Sequence, residues 1–254
     1  MDWVLAIGLW ILLFGTILTI CGLAILFALL RGARPNGAIL AGSLACSLFF
    51  LSFYGLSMLD GKGTGVKEMQ GYLEQNIKDQ MSSLKSQGVP QDKIDENMDW
   101  AEKFGVQAYP AWVALTCVWF AFLAYYMLPI LYRRFASRVP PPLPFRQWII
   151  PEPLVFGFIV GGLLKISVKY LSGPNVGWVE ILADNLLVFF GCLYILGGFS
   201  VISYYLQKLN IPVVFRFPLY VILTFLFEPL FCLGLLDVWM DVRKIKLPTL
   251  EKKL

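Results

Sequence analysis

The chain has 254 residues, of which 58% are apolar and 15% charged, and its formal charge is +4. This apolar share is well above that of soluble domains and predicts an integral membrane protein. The small net charge does not predict a nucleic-acid-binding surface, and the basic residues are more informative about membrane orientation. The chain contains no histidine, which excludes His-based acid–base catalysis, serine triads and most zinc sites.

No sequence motif indicates an enzyme. Phosphate loops, metal-ligand clusters and nucleophile motifs are absent, so we expect no catalysis, cofactor or metal. The chain has five cysteines in different apolar segments, without C-x-x-C spacing, and we expect free thiols. They are Cys21, Cys46, Cys117, Cys192 and Cys232. Asp2 stands where a cleavable signal would be basic, so we expect the first apolar run to be a membrane helix.

Six apolar runs are long enough to cross a bilayer as helices, at roughly 20 residues per crossing. They lie at about 3–30, 37–59, 111–132, 153–171, 178–206 and 213–240. We therefore expect an all-α fold, a polytopic bundle of about six transmembrane helices. The predicted divisions are 1–59 for helices one and two, 60–107 for a polar insertion, 108–244 for helices three to six, and 245–254 for a basic tail.

The insertion at 60–107 is rich in Lys, Glu, Asp and Gln. Apolar residues recur at helical spacing on both sides of Val89-Pro90, which predicts two short amphipathic helices outside the bilayer. Two interpretations remain open for them. They form a solvated hairpin packed on the bundle, or an arm that binds a partner.

A basic, proline-rich connector covers 132–148, and its four arginines favour a cytoplasmic location. The carboxyl-terminal tail is also basic, yet six simple crossings would place it on the opposite side. Either one segment does not cross fully, for example because the last run breaks at Glu228-Pro229, or the charge rule fails at one end. The orientation stays open at this point.

The fourth and fifth apolar runs carry charges on either side of a tight turn centred between Pro174 and Asn175. In an antiparallel hairpin, residues equally far from that centre lie at similar depth, which predicts the pairs Lys165–Asp184 and Lys169–Glu180. Asn185 would lie beside the deeper pair. Ionisable groups inside a span are candidates for a binding site. The alternative is a structural clasp, or separate snorkelling to the interface.

The stretch from Leu223 to Lys244, at the end of the last apolar run, carries three acids. On a continuous helix, Asp237 and Asp241 share a face near Arg243 and Lys244, which predicts a structural, charge-neutralised helix end. Glu228 lies near mid-span, where Pro229 disturbs the backbone hydrogen bonds of the preceding turn. A broken helix beside an acid is one way to build a coupling or substrate site. The alternative is a protonated Glu228 bonded to a neighbouring helix.

Glycines form stripes that allow helices to approach closely. The stripe on the first helix is formed by Gly8, Gly15 and Gly22, and Gly157 and Gly161 form a G-x-x-x-G in the fourth. Internal packing is one interpretation of both stripes. Because the first helix is terminal, its stripe could instead dock a separate membrane subunit.

Three stretches of the chain resemble the YybS-like family of uncharacterised bacterial membrane proteins. They are an aromatic–Arg–x–Trp…Pro segment, an Asn…Tyr…Gly helix and a closing G-L-x-D-x-W-x-D-x-R segment. The matching residues are Phe145, Arg146, Trp148 and Pro151, then Asn185, Tyr194 and Gly198, then Gly234, Asp237, Trp239, Asp241 and Arg243.

The resemblance implies a multi-pass protein of the bacterial cytoplasmic membrane, whose family has no established activity. The family is distantly similar to substrate-binding subunits of energy-coupling-factor transporters and to rod-shape membrane proteins, a likeness of fold that is weak evidence for function. Glu228 matches no motif of the family.

We therefore expect a membrane subunit that binds a small polar solute and docks a partner subunit through helix one. The candidate ligand-binding residues are Lys165, Lys169, Glu180, Asp184, Asn185 and Glu228. The alternative is a non-transporting scaffold of a cell-envelope or signalling complex, with the helices of 60–107 as its contact.

Overall fold

A computed structural model describes residues 2–59, 64–101, 105, 107–131, 139–171 and 176–245. Within these ranges the regular structure is helical, which confirms the all-α fold class. The helices are α1 (Asp2–Leu30), α2 (Pro35–Leu59), α3 (Thr64–Ser86), α4 (Gln91–Ala101), α5 (Tyr109–Leu131), α6 (Leu154–Val168), α7 (Val176–Lys208), α8 (Val213–Thr224) and α9 (Phe227–Met240), with a short 3-10 helix at Phe145–Gln147.

The chain divides into two compact units, Met1–Pro142 and Leu143–Leu254. The division falls inside the basic connector, and it differs from the predicted 108–244 core because α5 packs with α1 and α2 in the first unit. Each unit has its own packed interior.

The first unit is a three-helix core in which α1, α2 and α5 approach closely. A Cβ on Gly42 would lie only 2.8 Å from the Ile25 side chain and 3.2 Å from Ala121 Cβ, so this crossing requires glycine. Three of the predicted free thiols (Cys21, Cys46 and Cys117) are fully buried in this core, as expected for a small apolar side chain.

The predicted amphipathic helices of the insertion are present as α3 and α4. Gly88 ends α3 in the left-handed conformation (φ 78°), and the Val89 N–H donates to the Leu84 carbonyl. These are the features of a glycine-terminated helix end. Pro90 then precedes α4, where its lack of an N–H matters little. Ile94 is buried, while Met98 and Trp100 on the same helix are exposed.

Four described helical segments are long and apolar enough to cross a membrane: Ile11–Leu30, Pro35–Ser52, Tyr109–Ile130 and Val176–Lys208. A fifth candidate is the pair of α8 and α9, which is bent by 102° at its break. The sixth predicted span, α6, has only 15 residues, about 22 Å of helix against a hydrocarbon core of about 30 Å. By length and composition the described chain therefore has four or five spans rather than six.

In the second unit, α7 is the central helix, and α6 and α9 pack against it at glycines. A Cβ on Gly157 would overlap the Phe190 ring, and one on Gly161 would lie 3.0 Å from Leu186 Cβ. On the α9 side, a Cβ on Gly234 would overlap the Tyr194 carbonyl oxygen. The G-x-x-x-G of the fourth run therefore serves internal packing, as one of its two interpretations predicted.

Candidate functional site

The α6–α7 pair carries a cluster of three ionised side chains. Lys165 lies in the last turn of α6, and Glu180 and Asp184 lie one turn apart near the start of α7. The Lys165 Nζ lies 2.9 Å from Glu180 Oε1 and 2.8 Å from Asp184 Oδ1. The spacing i, i+4 places both carboxylates on one face of α7, so a single ammonium reaches both.

The structure confirms one predicted pair of this cluster and corrects the other. Lys165 pairs with Asp184 as predicted, but it also binds Glu180, and no ion pair joins Glu180 to Lys169. Lys165 reaches both carboxylates, so Glu180 is already paired, and the side chain of Lys169, which caps α6, is exposed. The Asn185 amide donates to the Ile181 carbonyl at 2.8 Å, one turn back on its own helix.

The cluster is only partly buried. The side chains of Lys165 and Glu180 are 37% and 38% exposed, and that of Asp184 is 18% exposed. A carboxylate accepts several hydrogen bonds, with about four lone-pair sites on its two oxygens. Asp184 can therefore accept a further donor while it stays paired with Lys165.

A second ion pair, between Arg243 and Asp237, is almost fully buried, with side-chain exposures of 1% and 6%. Arg243 Nη2 lies 2.6 Å from Asp237 Oδ2 and 2.9 Å from the Trp148 carbonyl oxygen. Its Nη1 donates to the Arg146 carbonyl and to Ser200 Oγ, both at 2.7 Å. One guanidinium thus fastens the segment after α9 to α7 and to the connector.

Asp237 is neutralised by a nearby base, as the sequence predicted for a structural helix end. Asp241 has a different role. It adopts a left-handed conformation (φ 44°) just after α9 ends, and its Oδ1 accepts from the Ile245 N–H at 3.0 Å. Lys244 lies beyond the helix and is exposed, so the predicted shared face of Asp241 and Lys244 does not form.

Sequence reasoning missed Ser200, the buried hydroxyl at the centre of this network. Its Oγ donates towards the carbonyls of Phe145 at 2.7 Å and Trp148 at 3.0 Å, and accepts from Arg243. The available signal was a serine two residues after Gly197-Gly198 in an apolar helix. The connector residues take part through backbone carbonyls, which carry no sequence signal, although the Trp148 side chain is also buried.

Glu228 lies in the first turn of α9, two residues after the break, and is exposed. The predicted break is confirmed. Pro229 has no N–H to donate to the Phe225 carbonyl, and its ring would clash there if the helix continued. In the first turn of α9 the missing N–H is tolerated. The proposed coupling or substrate role of Glu228 stays a prediction.

Tyr194 is fully buried against Phe158 and Phe231. Among the described residues, its hydroxyl is a buried side-chain polar atom without a hydrogen-bond partner in the protein. Buried tyrosine hydroxyls usually find one, so this is an unmet hydrogen bond between α6, α7 and α9. Within the described ranges, no group of three or more His, Cys, Asp or Glu side chains is arranged to hold a metal.

The glycine stripe of α1 is not uniform. Among the residues that the structure describes, nothing lies within 4 Å of a Cβ built on Gly8 or Gly15, and Gly15 lines a shallow groove with Ile11 and Thr16. Gly22, in contrast, is buried. Internal packing therefore does not account for the amino-terminal part of this stripe.

Comparisons with known proteins agree with the predicted resemblance. A relative, the uncharacterized protein YybS of Bacillus subtilis (strain 168), is 28% identical over an alignment of 228 residues, and the match covers 84% of this chain and 70% of the relative. No solved structure matches the chain. The model of a family described as predicted membrane protein (DUF2232) matches residues 3–238. Since that match covers nearly the whole sequence, the chain belongs to the DUF2232 family of predicted membrane proteins.

Proposed function

We propose that this protein is a non-catalytic binding subunit of a bacterial cytoplasmic membrane, which holds a small polar solute at the Lys165 cluster. The observation that carries the proposal is the cluster itself: one ammonium shared by two carboxylates on an apolar helix pair. Ionised groups inside membrane segments are costly and usually mark substrate or ion pathways.

The packing of the helix pair supports a role beyond structure. Gly157 and Gly161 already bring α6 against α7 through apolar contacts with Phe190 and Leu186. The buried Arg243–Asp237 pair is closed off from any further polar group by the protein around it. The Lys165 cluster is partly exposed instead, so a solute with a hydroxyl or ammonium donor can reach its carboxylate oxygens.

A partner would dock on the open part of the α1 glycine stripe. Gly15, with Ile11, Leu12 and Thr16 beside it, forms a shallow apolar groove. Grooves lined by small residues let a second transmembrane helix approach closely. The partner would supply any energy coupling, because the chain carries no phosphate-binding loop.

Native mass spectrometry of protein purified from bacterial membranes in mild detergent tests this proposal. We expect a small-molecule adduct on the wild-type chain that is lost in Asp184→Asn, which keeps the shape of the side chain but removes its charge. Lys169→Ala is the matched control, since Lys169 forms no ion pair with Glu180, and it should retain the adduct. An adduct that survives Asp184→Asn would rule out this site.

A scaffold is the second candidate, and one observation favours it. The polar hairpin of α3 and α4 exposes Met98 and Trp100, and aromatic and methionine side chains are enriched at protein interfaces. If the protein is a scaffold, the same spectra should show it without a small-molecule adduct but in complex with a partner protein. Replacing Met98 and Trp100 by serine should then release that partner while Ile94 keeps the hairpin packed.

A further inference from the structure

The two ends of the α8–α9 pair lie beside the same turn of α7. At the start of the pair, the Ile211 N–H donates to the Leu206 carbonyl at 3.0 Å. At its end, the Tyr205 hydroxyl donates to the Val242 carbonyl at 2.9 Å. Leu206 and Tyr205 are neighbours in sequence. A bent span that crossed the bilayer would place its two ends at opposite ends of α7.

Residues between the two ends of the pair contact the middle of α7, which shows that the chain turns back. Tyr220 of α8 contacts Phe199, with ring centroids 6.2 Å apart, so α8 turns back from the carboxyl-terminal end of α7 toward its middle. At the start of α9, Phe231 contacts Tyr194 at 5.9 Å. From there the chain follows α7 in the same direction through the end of α9, since Phe231 to Val242 and Tyr194 to Tyr205 are both eleven residues.

The lengths of both helices fit a segment that enters the membrane and leaves it on the same side. The 12 residues of α8 and the 14 of α9 amount to about 18 and 21 Å of helix, each short of a hydrocarbon core of about 30 Å. The break at Phe225-Leu226, followed by Glu228 and Pro229, is then the part of the segment that lies deepest in the bilayer. We propose that α8 and α9 form a re-entrant hairpin rather than a transmembrane span.

This geometry removes the conflict between the basic connector and the basic tail. Arg243 donates to the carbonyls of Arg146 and Trp148, so the connector and the end of α9 lie at the same end of the second unit. Both basic stretches can then be cytoplasmic, as the distribution of Lys and Arg in membrane proteins requires. The proposal does not depend on solute binding.

The remaining short loops agree with this orientation. With the connector inside, α5 begins outside and α2 ends outside, which places the α1–α2 turn inside. That turn carries Arg31 and Arg34. The amino terminus and the polar hairpin of α3 and α4 are then outside. The start of α7 is outside as well. Although α6 alone is too short for a span, the residues before it already run beside α7, since a Cβ on Gly197 would lie 2.6 Å from the Ile150 side chain, so this segment and α6 cross together.

Cysteine labelling in intact bacteria tests the hairpin directly. In a chain whose five cysteines are replaced by alanine, Leu209→Cys marks the α7–α8 turn and Lys253→Cys the carboxyl-terminal tail. Gly177→Cys marks the start of α7, where a Cβ meets nothing within 4 Å. We expect a membrane-impermeant maleimide to label only Gly177→Cys until the cells are permeabilised, when all three react.

Opposite labelling of Leu209→Cys and Lys253→Cys would overturn the hairpin, because a transmembrane pair separates these positions. A second measurement avoids replacing the cysteines. Green fluorescent protein fused to the carboxyl end of the unaltered chain should fluoresce, and alkaline phosphatase fused there should be inactive, since one needs the cytoplasm and the other the outside. The reverse pattern would overturn the cytoplasmic assignment of the tail.

Discussion

The two ion clusters of the second unit differ in burial and in what they join. Arg243 and Asp237 are 1% and 6% exposed, and the guanidinium also binds backbone carbonyls almost a hundred positions away. Lys165 is 37% exposed and binds only side chains of the adjacent helix. A saturated, buried cluster fixes the fold, whereas a partly exposed one leaves acceptor capacity for something else. The difference separates a structural role from a possible functional one.

The largest expected effect comes from Arg243→Met. This substitution leaves the Asp237 carboxylate buried without a counter-charge and deprives the Trp148 and Arg146 carbonyls of donors. We expect the free energy of unfolding to fall by about 3–5 kcal/mol, measured by unfolding in mixed detergent micelles. Lys244→Gln is the control, because it removes an exposed charge at the next position without changing its backbone strain. Similar losses in both variants would contradict the structural role of Arg243.

Ser200→Ala tests the same cluster with an intermediate effect. Removing this hydroxyl takes an acceptor from Arg243 and a donor from the Phe145 carbonyl, so we expect a loss of about 1–3 kcal/mol. Ser43→Ala is the matched control. Ser43 is also buried, but it donates only to the Ile39 carbonyl of its own helix, which remains satisfied by the helix backbone. Equal effects would mean that the Ser200 contacts contribute nothing specific.

The sequence predicted the features of this unit that depend on local spacing. Helical periodicity placed Glu180 and Asp184 on one face, and Pro229 predicted the break before α9. The prediction of Lys169–Glu180 failed by one helical turn because it assigned one base to each acid. Two carboxylates one turn apart can share a single ammonium, and Lys165 binds both.

Features that depend on distant parts of the chain could not be predicted. Hydropathy reports whether a segment is apolar, not the direction in which it runs, so it left open whether 213–240 crosses as one span or breaks at Glu228-Pro229. The Arg243 site combines a side chain with backbone carbonyls of the connector, and any residue carries such a carbonyl. Only Ser200, two residues after Gly197-Gly198 in α7, offered a signal that sequence reasoning could have used.

The smallest expected effect, and the one that separates the clusters most clearly, comes from Lys165→Met. It leaves two carboxylates one turn apart without their shared cation, but partial exposure screens their repulsion, so we expect a loss of about 1 kcal/mol. Because exposed charges respond to ionic strength, adding salt should shrink this loss while leaving that of Arg243→Met unchanged. Lys169→Met should have no measurable effect, since Lys169 pairs with neither carboxylate. If Lys165→Met lowered the free energy of unfolding as much as Arg243→Met does, and salt did not change this, both clusters would be buried structural ion pairs. The Lys165 cluster would then be unsuitable for binding a solute.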